Sequence, residues 1–143
     1  MTDYTITKLD FFNKRLTQLP DDIHLYTHLK ELNCSVNKIT QCDNLPQGLE
    51  ILNCIQNNII QLDNLPPSLK ILNCSNNHIT QLDNLPPGLI ELYCSNNQIT
   101  QLNNLPISLI KLQCDNNPLI YDFEPTLENI KKYNASNVNI PSS

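Results

Sequence analysis

LKILNCSNNHITQLDNLPPG occupies residues 69–88, and LIELYCSNNQITQLNNLPIS follows it directly at 89–108. The two blocks are close copies of one twenty-residue unit, and their shared letters recur outward in both directions. Cysteine returns at Cys34, Cys54, Cys74, Cys94 and Cys114, and asparagine at Asn37, Asn57, Asn77, Asn97 and Asn117. Leucine keeps step at Leu29, Leu49, Leu69, Leu89 and Leu109, and again at Leu32, Leu52, Leu72, Leu92 and Leu112. A proline follows a leucine at Pro46, Pro66, Pro86 and Pro106. A fixed period of this length is the signature of a solenoid, in which each unit buries its apolar side by stacking on the next.

Within a unit, L-x-C alternates with period two, so Leu32 and Cys34 point inward while Asn33 points outward. That pattern predicts one short strand per unit, with successive strands stacked in parallel about 4.8 Å apart. Leu29, Ile39, Leu45 and Cys42 (a leucine in the next three units) complete the inward ring. Proline on the return path removes amide donors and fixes φ, so that side is expected to be extended or polyproline-like, with little helix.

The unit L-x-x-L-x-C-x-x-N-x-I-x-x-L-x-x-L-P-x-x resembles the leucine-rich repeat at its defining positions. Its length and late Leu-Pro resemble the short-repeat subclass of effectors that pathogenic bacteria inject into host cells. Asn- and Ile-rich repeats of giant DNA viruses of amoebae are similar. The resemblance is strong over residues 29–120 and weak over 9–28. It implies a leucine-rich-repeat solenoid, α/β by family but mostly β in this chain. Expected are a right-handed superhelix, a parallel sheet on the concave face, an extended convex side and a short C-terminal capping helix.

The chain is read as one domain over 1–143. Residues 1–28 form an N-terminal cap and atypical first repeat, with Phe11 at the cysteine position, Lys14 at the asparagine position and a short helical turn near 21–27. Regular repeats fill 29–120, a C-terminal cap fills 121–134, and 135–143 is expected to be a disordered tail. The cap helix is read from Pro125 to Tyr133, with Glu124 as its N-cap.

Each ladder has a plain structural reading. The asparagines sit where the strand ends and the chain turns inward, so their amides are expected to pair buried backbone groups. Asn96, one residue before its ladder position, is expected to tolerate alanine. The cysteines occupy an apolar slot, and their parallel side-chain vectors suit neither disulfides nor a C-x-x-C metal pair. Asp43, Asp63 and Asp83 lack the glycine-rich loops of stacked calcium sites and read as solvated turn residues. His24, His28 and His78 share no ligand-like spacing. No cofactor and no metal site is expected.

Bulk composition narrows the function classes. Hydrophobic residues make up 40% and charged residues 16%, so a core is affordable, and the net charge is −5. The nine basic residues are scattered, which argues against a nucleic-acid partner. Two glycines cannot build a phosphate loop. No apolar run approaches the roughly 18 residues of a membrane span, and the N-terminus lacks a secretory signal pattern. These features predict an intracellular protein, placed in a host or microbial cytoplasm, with no membrane partner. No Ser-His-Asp, Cys-His, H-E-x-x-H or G-x-S-x-G constellation is present, so the chain is read as non-catalytic. Related effectors carry a ubiquitin-ligase domain after the repeats, a chemistry not expected from this chain.

The reading that remains is a protein-interaction module presenting a concave face. Ile51 and Ile71 share one outward slot in adjacent units, with Ile55 and Tyr93 near them. Asn53, Asn73, Glu91, Lys111 and Gln113 complete the expected partner-binding set. Exposed apolar residues rimmed by polar ones are an interface pattern, although strands also favour isoleucine wherever it points. The alternative is a structural or self-associating protein, and a homo-oligomer is compatible with the sequence.

Overall fold

The computed structural model describes residues 1–137. Six strands, β1 (Lys8–Asp10), β2 (Glu31–Asn33), β3 (Ile51–Asn53), β4 (Ile71–Asn73), β5 (Glu91–Tyr93) and β6 (Lys111–Gln113), form one parallel sheet in chain order. The coil is a right-handed parallel β-solenoid with a short C-terminal helix, α1 (Leu127–Asn137). Register is fixed by the buried central leucine of each strand: Leu32 pairs with Leu52, Leu52 with Leu72, and Leu72 with Leu92. A slip of one residue would turn every one of these leucines to solvent, so the alternation alone sets the register.

Three residues of strand suffice because the chain turns immediately afterwards. Val36, Gln56, Asn76, Asn96 and Asn116 all adopt left-handed backbone, with φ between 55° and 58°. Asparagine tolerates that region better than other non-glycine residues, so Asn76, Asn96 and Asn116 are explained by backbone geometry. The expectation that Asn96 tolerates alanine is therefore corrected: alanine there carries the left-handed penalty. The return path has no helix in the regular repeats; it closes with turns in which Leu49, Leu69, Leu89 and Leu109 donate to Pro46, Pro66, Pro86 and Pro106 at 3.1 Å.

Leucine, isoleucine and cysteine fill the interior of the coil. In the central repeat Leu69, Leu72, Cys74 and Ile79 are fully buried and Leu82 nearly so. All six cysteines are buried and free. The Cys54 and Cys74 thiols donate to the carbonyls of Asn73 and Tyr93 in the following strand, a contact that leucine in the same slot could not make. Burial pushes the thiols of Cys74, Cys94 and Cys114 up, so they stay protonated.

Asparagine side chains stitch one repeat to the one before it. The Asn77 amide nitrogen donates to Cys54 O at 3.0 Å and to Cys74 O at 3.1 Å, while its oxygen accepts from Ile59 N. Asn57 and Asn97 repeat the pattern, and both are buried. Asn117 does the same at the end of the stack, bonding Ile99 N and Cys94 O. Asn37 reaches back into the first unit, accepting from Lys14 N and Leu16 N and donating to Phe11 O.

Both ends of the core are plugged. A 3-10 turn at Ile23–Leu25 buries Ile23, and Tyr4 packs edge-on against Tyr26 while bonding Asp22. At the other end α1 buries Ile130 completely, and Tyr121, Phe123 and Tyr133 cluster beside it. The helix starts later than the sequence implies. Thr126 Oγ1 caps it by accepting Asn129 N, since Glu124 and Pro125 are still in the lead-in. It also ends later: residues 135–137, expected in the tail, are helical, and 138–143 lie outside the described residues. Lys131 donates to Ile107 O and Leu109 O, the carbonyl positions that Ser68 and Ser108 reach in earlier repeats. The helix thus takes hydrogen bonds that a further repeat would make.

Candidate functional site

With the leucines turned inward, the two flanking residues of each strand stand on the open face of the sheet. One column runs Lys8, Glu31, Ile51, Ile71, Glu91, Lys111, and a second runs Asp10, Asn33, Asn53, Asn73, Tyr93, Gln113. Ile51 and Ile71 stand directly opposite one another and are half-buried. Each removes part of the other from water, which leaves a single apolar strip two strands wide.

Polar groups close the strip at both ends. Towards the N-terminus, Glu31 forms an ion pair with Lys8 at 3.1 Å. Towards the C-terminus, Glu91 accepts the Tyr93 hydroxyl, and the Lys111 ammonium sits over the Tyr93 ring, 5.1 Å from its centroid. Tyr93 is therefore diagonal to Ile71 and not in line with the isoleucines; Glu91 takes that place. Ile55 lies beyond the strand, half-buried in a third column between Ser35 and Ser75.

In the second column the asparagine oxygens are already used. Asn53 Oδ1 accepts the Ser35 hydroxyl at 2.8 Å, and Asn73 Oδ1 accepts Ser75 N at 3.3 Å. Among the described residues the amide nitrogens of Asn53 and Asn73 have no partner, so both present donors beside the isoleucine strip. Asn33 differs, since its nitrogen donates to Asp10 Oδ1.

The face extends further than the expected set. A depression of about 330 Å³ spans β1 to β3, lined by Lys8, Asp10, Glu31, Asn33, Ile51 and Asn53 with the leucines beneath. Lys8 and Asp10 flank Leu9 as Glu31 and Asn33 flank Leu32, and all four line this depression although none was in the expected partner-binding set. At the margin of the sheet, Glu50 bridges Lys30 at 3.4 Å and Lys70 at 3.0 Å; their ammonium groups hold its carboxyl below the usual carboxylate range. Among the described residues no group of three or more His, Cys, Asp or Glu side chains is placed to hold a metal ion. No helix among them is long and apolar enough to cross a membrane.

A family model described as leucine-rich repeats in two copies matches residues 67–107. YopM from Yersinia enterocolitica superposes with a TM-score of 0.76 at 32% identity, covering 83% of this chain. A leucine-rich-repeat domain of a Shigella effector superposes with the same score and identity over 81% of this chain. This chain is a leucine-rich-repeat-like solenoid related to bacterial effector repeat domains. It spans 26% of the YopM chain and 52% of the Shigella domain. A search of curated proteins finds no match.

Proposed function

We propose that the chain is a non-catalytic binding module that holds a protein partner across the concave, open face of its sheet, inside a host or microbial cell. The observation that carries this reading is the registered Ile51–Ile71 pair, an apolar strip bounded by charged groups and by unused amide donors. An apolar centre with a polar rim is how protein interfaces are built, and aromatic residues such as Tyr93 concentrate at their energetic centres. Ile51, Ile71 and Tyr93 are already half-buried, so covering the remainder supplies less than the roughly 1.5–3 kcal/mol that each would yield from full exposure. Asn53, Asn73, Glu91, Lys111 and Gln113 set orientation around them.

The test is capture of partners from a lysate of the natural host by the wild-type chain and by the double variant Ile71→Ser, Tyr93→Ala. Both side chains point away from the core, so the variant is expected to melt within a few degrees of wild type and to lose its partner. A folded double variant that retains the partner undiminished sinks the open-face reading.

A second reading, self-association, is favoured by one observation at the sheet edge. Cys94 N donates to Gln113 O at the end of β6 and Asn96 N to Asp115 O just beyond it, but the corresponding Cys114 and Asn116 amides have no partner among the described residues. Ile107 and Ile110 near that edge are 97% and 74% exposed. Unpaired edge strands template pairing with another chain. Light scattering across a dilution series separates the two: a concentration-independent monomer leaves the partner-binding reading alone.

A further inference from the structure

The first column of the open face reads Lys8, Glu31, Ile51, Ile71, Glu91, Lys111. This order is the same in either direction: ammonium, carboxylate, isoleucine, then the mirror image. In a two-fold face-to-face pairing that lays the two columns along one another, each carboxylate meets a carboxylate and each ammonium an ammonium. Aligned self-pairing is therefore disfavoured, and the inner charges nearest the apolar strip are both negative.

Those inner carboxylates are incompletely used. Glu31 spends one oxygen on Lys8 and Glu91 one on Tyr93; the other oxygen of each has no partner among the described residues. They stand three strand spacings apart, roughly 14 Å, with the isoleucine strip midway. An extended peptide advances about 3.3 Å per residue, so side chains at positions i and i+4 on one face lie about 13 Å apart with i+2 between them. The Asn53 and Asn73 amide donors discriminate further. A helical ligand has its carbonyls already bonded, whereas an extended one has carbonyls free to accept from them.

Resting on the open-face reading above, we infer that the ligand is an extended peptide segment of the form basic-x-apolar-x-basic. Its two cationic side chains reach Glu31 and Glu91, its central apolar side chain straddles Ile51 and Ile71, and its carbonyls accept from Asn53 and Asn73. The outer ammoniums of Lys8 and Lys111 exclude longer basic runs, which limits the charged footprint to two residues.

The experiment pans a random nonapeptide display library against the full chain and then measures the enriched peptides by fluorescence anisotropy. Enrichment of Lys or Arg two positions to either side of an apolar residue is expected. Binding of those peptides is expected to weaken at least tenfold in the double variant Glu31→Gln, Glu91→Gln and to weaken with added salt. Melting curves of the variants establish that they remain folded. Enriched peptides that are neutral or acidic, yet lose binding in folded Ile71→Asp, overturn the charge inference and leave the open-face reading standing. Peptides indifferent to Ile71→Asp overturn both, and a library yielding no binder overturns the extended-peptide ligand.

Discussion

The side-chain oxygen of Asn77 accepts the backbone amide of Ile59, eighteen residues earlier, at 3.0 Å. The same side chain donates to Cys54 O, so one amide satisfies two backbone groups of the preceding repeat where water cannot reach. Asn77→Ala strands Ile59 N, while Cys54 O keeps the bond from Asn57 Nδ2, and the loss is expected to cost roughly 1–3 kcal/mol. Asn58→Ala, exposed and free of side-chain bonds, serves as the control and should stay near zero. Urea melts of the two variants make the comparison; equal midpoints would show that the ladder contributes nothing.

Val36 is a β-branched residue held at φ 58°. Left-handed backbone costs an ordinary L-residue about 1–2 kcal/mol and a β-branched one no less. Val36→Asn, matching Asn76 and Asn96 in the same slot, should raise stability by about 1 kcal/mol, and Asn96→Val should lower it. Thermal melts of both substitutions read the sign directly, and a destabilised Val36→Asn contradicts the backbone account.

Gly88 occupies the slot that serine fills at Ser68 and Ser108, where the hydroxyl bonds two carbonyls of the previous repeat. A Cβ built on Gly88 meets nothing within 4 Å. Gly88→Ser restricts the unfolded chain and gains hydrogen bonds to the Pro67 and Leu69 carbonyls, together worth roughly 1–2 kcal/mol. The melting temperature should rise by about 3–6 °C.

Thiols held protonated by burial make stability depend on alkaline pH. Cys74, Cys94 and Cys114 have folded pKa values raised above the unfolded value near 9.0. Below that value both states keep the proton and the contribution is complete. As pH rises past it the unfolded thiol ionises first, so stability falls by about 1.4 kcal/mol per pH unit for each of the strongly raised Cys74 and Cys94 thiols, and Cys114 acts in the same direction. Under reducing conditions, urea melts between pH 8 and 10.5 should show this slope, shallower by one thiol in Cys94→Val. All six thiols should also resist alkylation until the protein unfolds, and rapid labelling of five in the native state would count against their burial.

Fold and core were legible in the sequence because the physics that creates them is local and repeated. Leu72 and Cys74 alternate with Asn73, and twenty residues later the same constraint produces the same letters, so strand, register and inward ring follow from counting. Features that occur once were harder to read. The Thr126 cap was missed because Glu124-Pro125 looks like a helix start, and only the packing of Ile130 into the core fixes where the first turn begins. Asn96 was expected to tolerate alanine because a left-handed φ leaves no mark in the alternation. On the candidate face, the Ile51–Ile71 pairing follows from the period. The diagonal placement of Tyr93 follows from the period too, since Tyr93 pairs with Asn73, but its engagement by Glu91 and Lys111 depends on side-chain directions that spacing does not encode.

The asparagine stitches all point backwards along the chain: Asn57 to Ile39 and Cys34, Asn77 to Ile59 and Cys54, Asn97 to Ile79 and Cys74. On a ribosome, the groups each asparagine seeks have always been synthesised before it. Each coil in turn leaves strand donors, such as Cys54 N for Asn73 O, to be met by the coil made next. The molecule can thus be assembled in the order it is translated, each coil needing only its immediate neighbours.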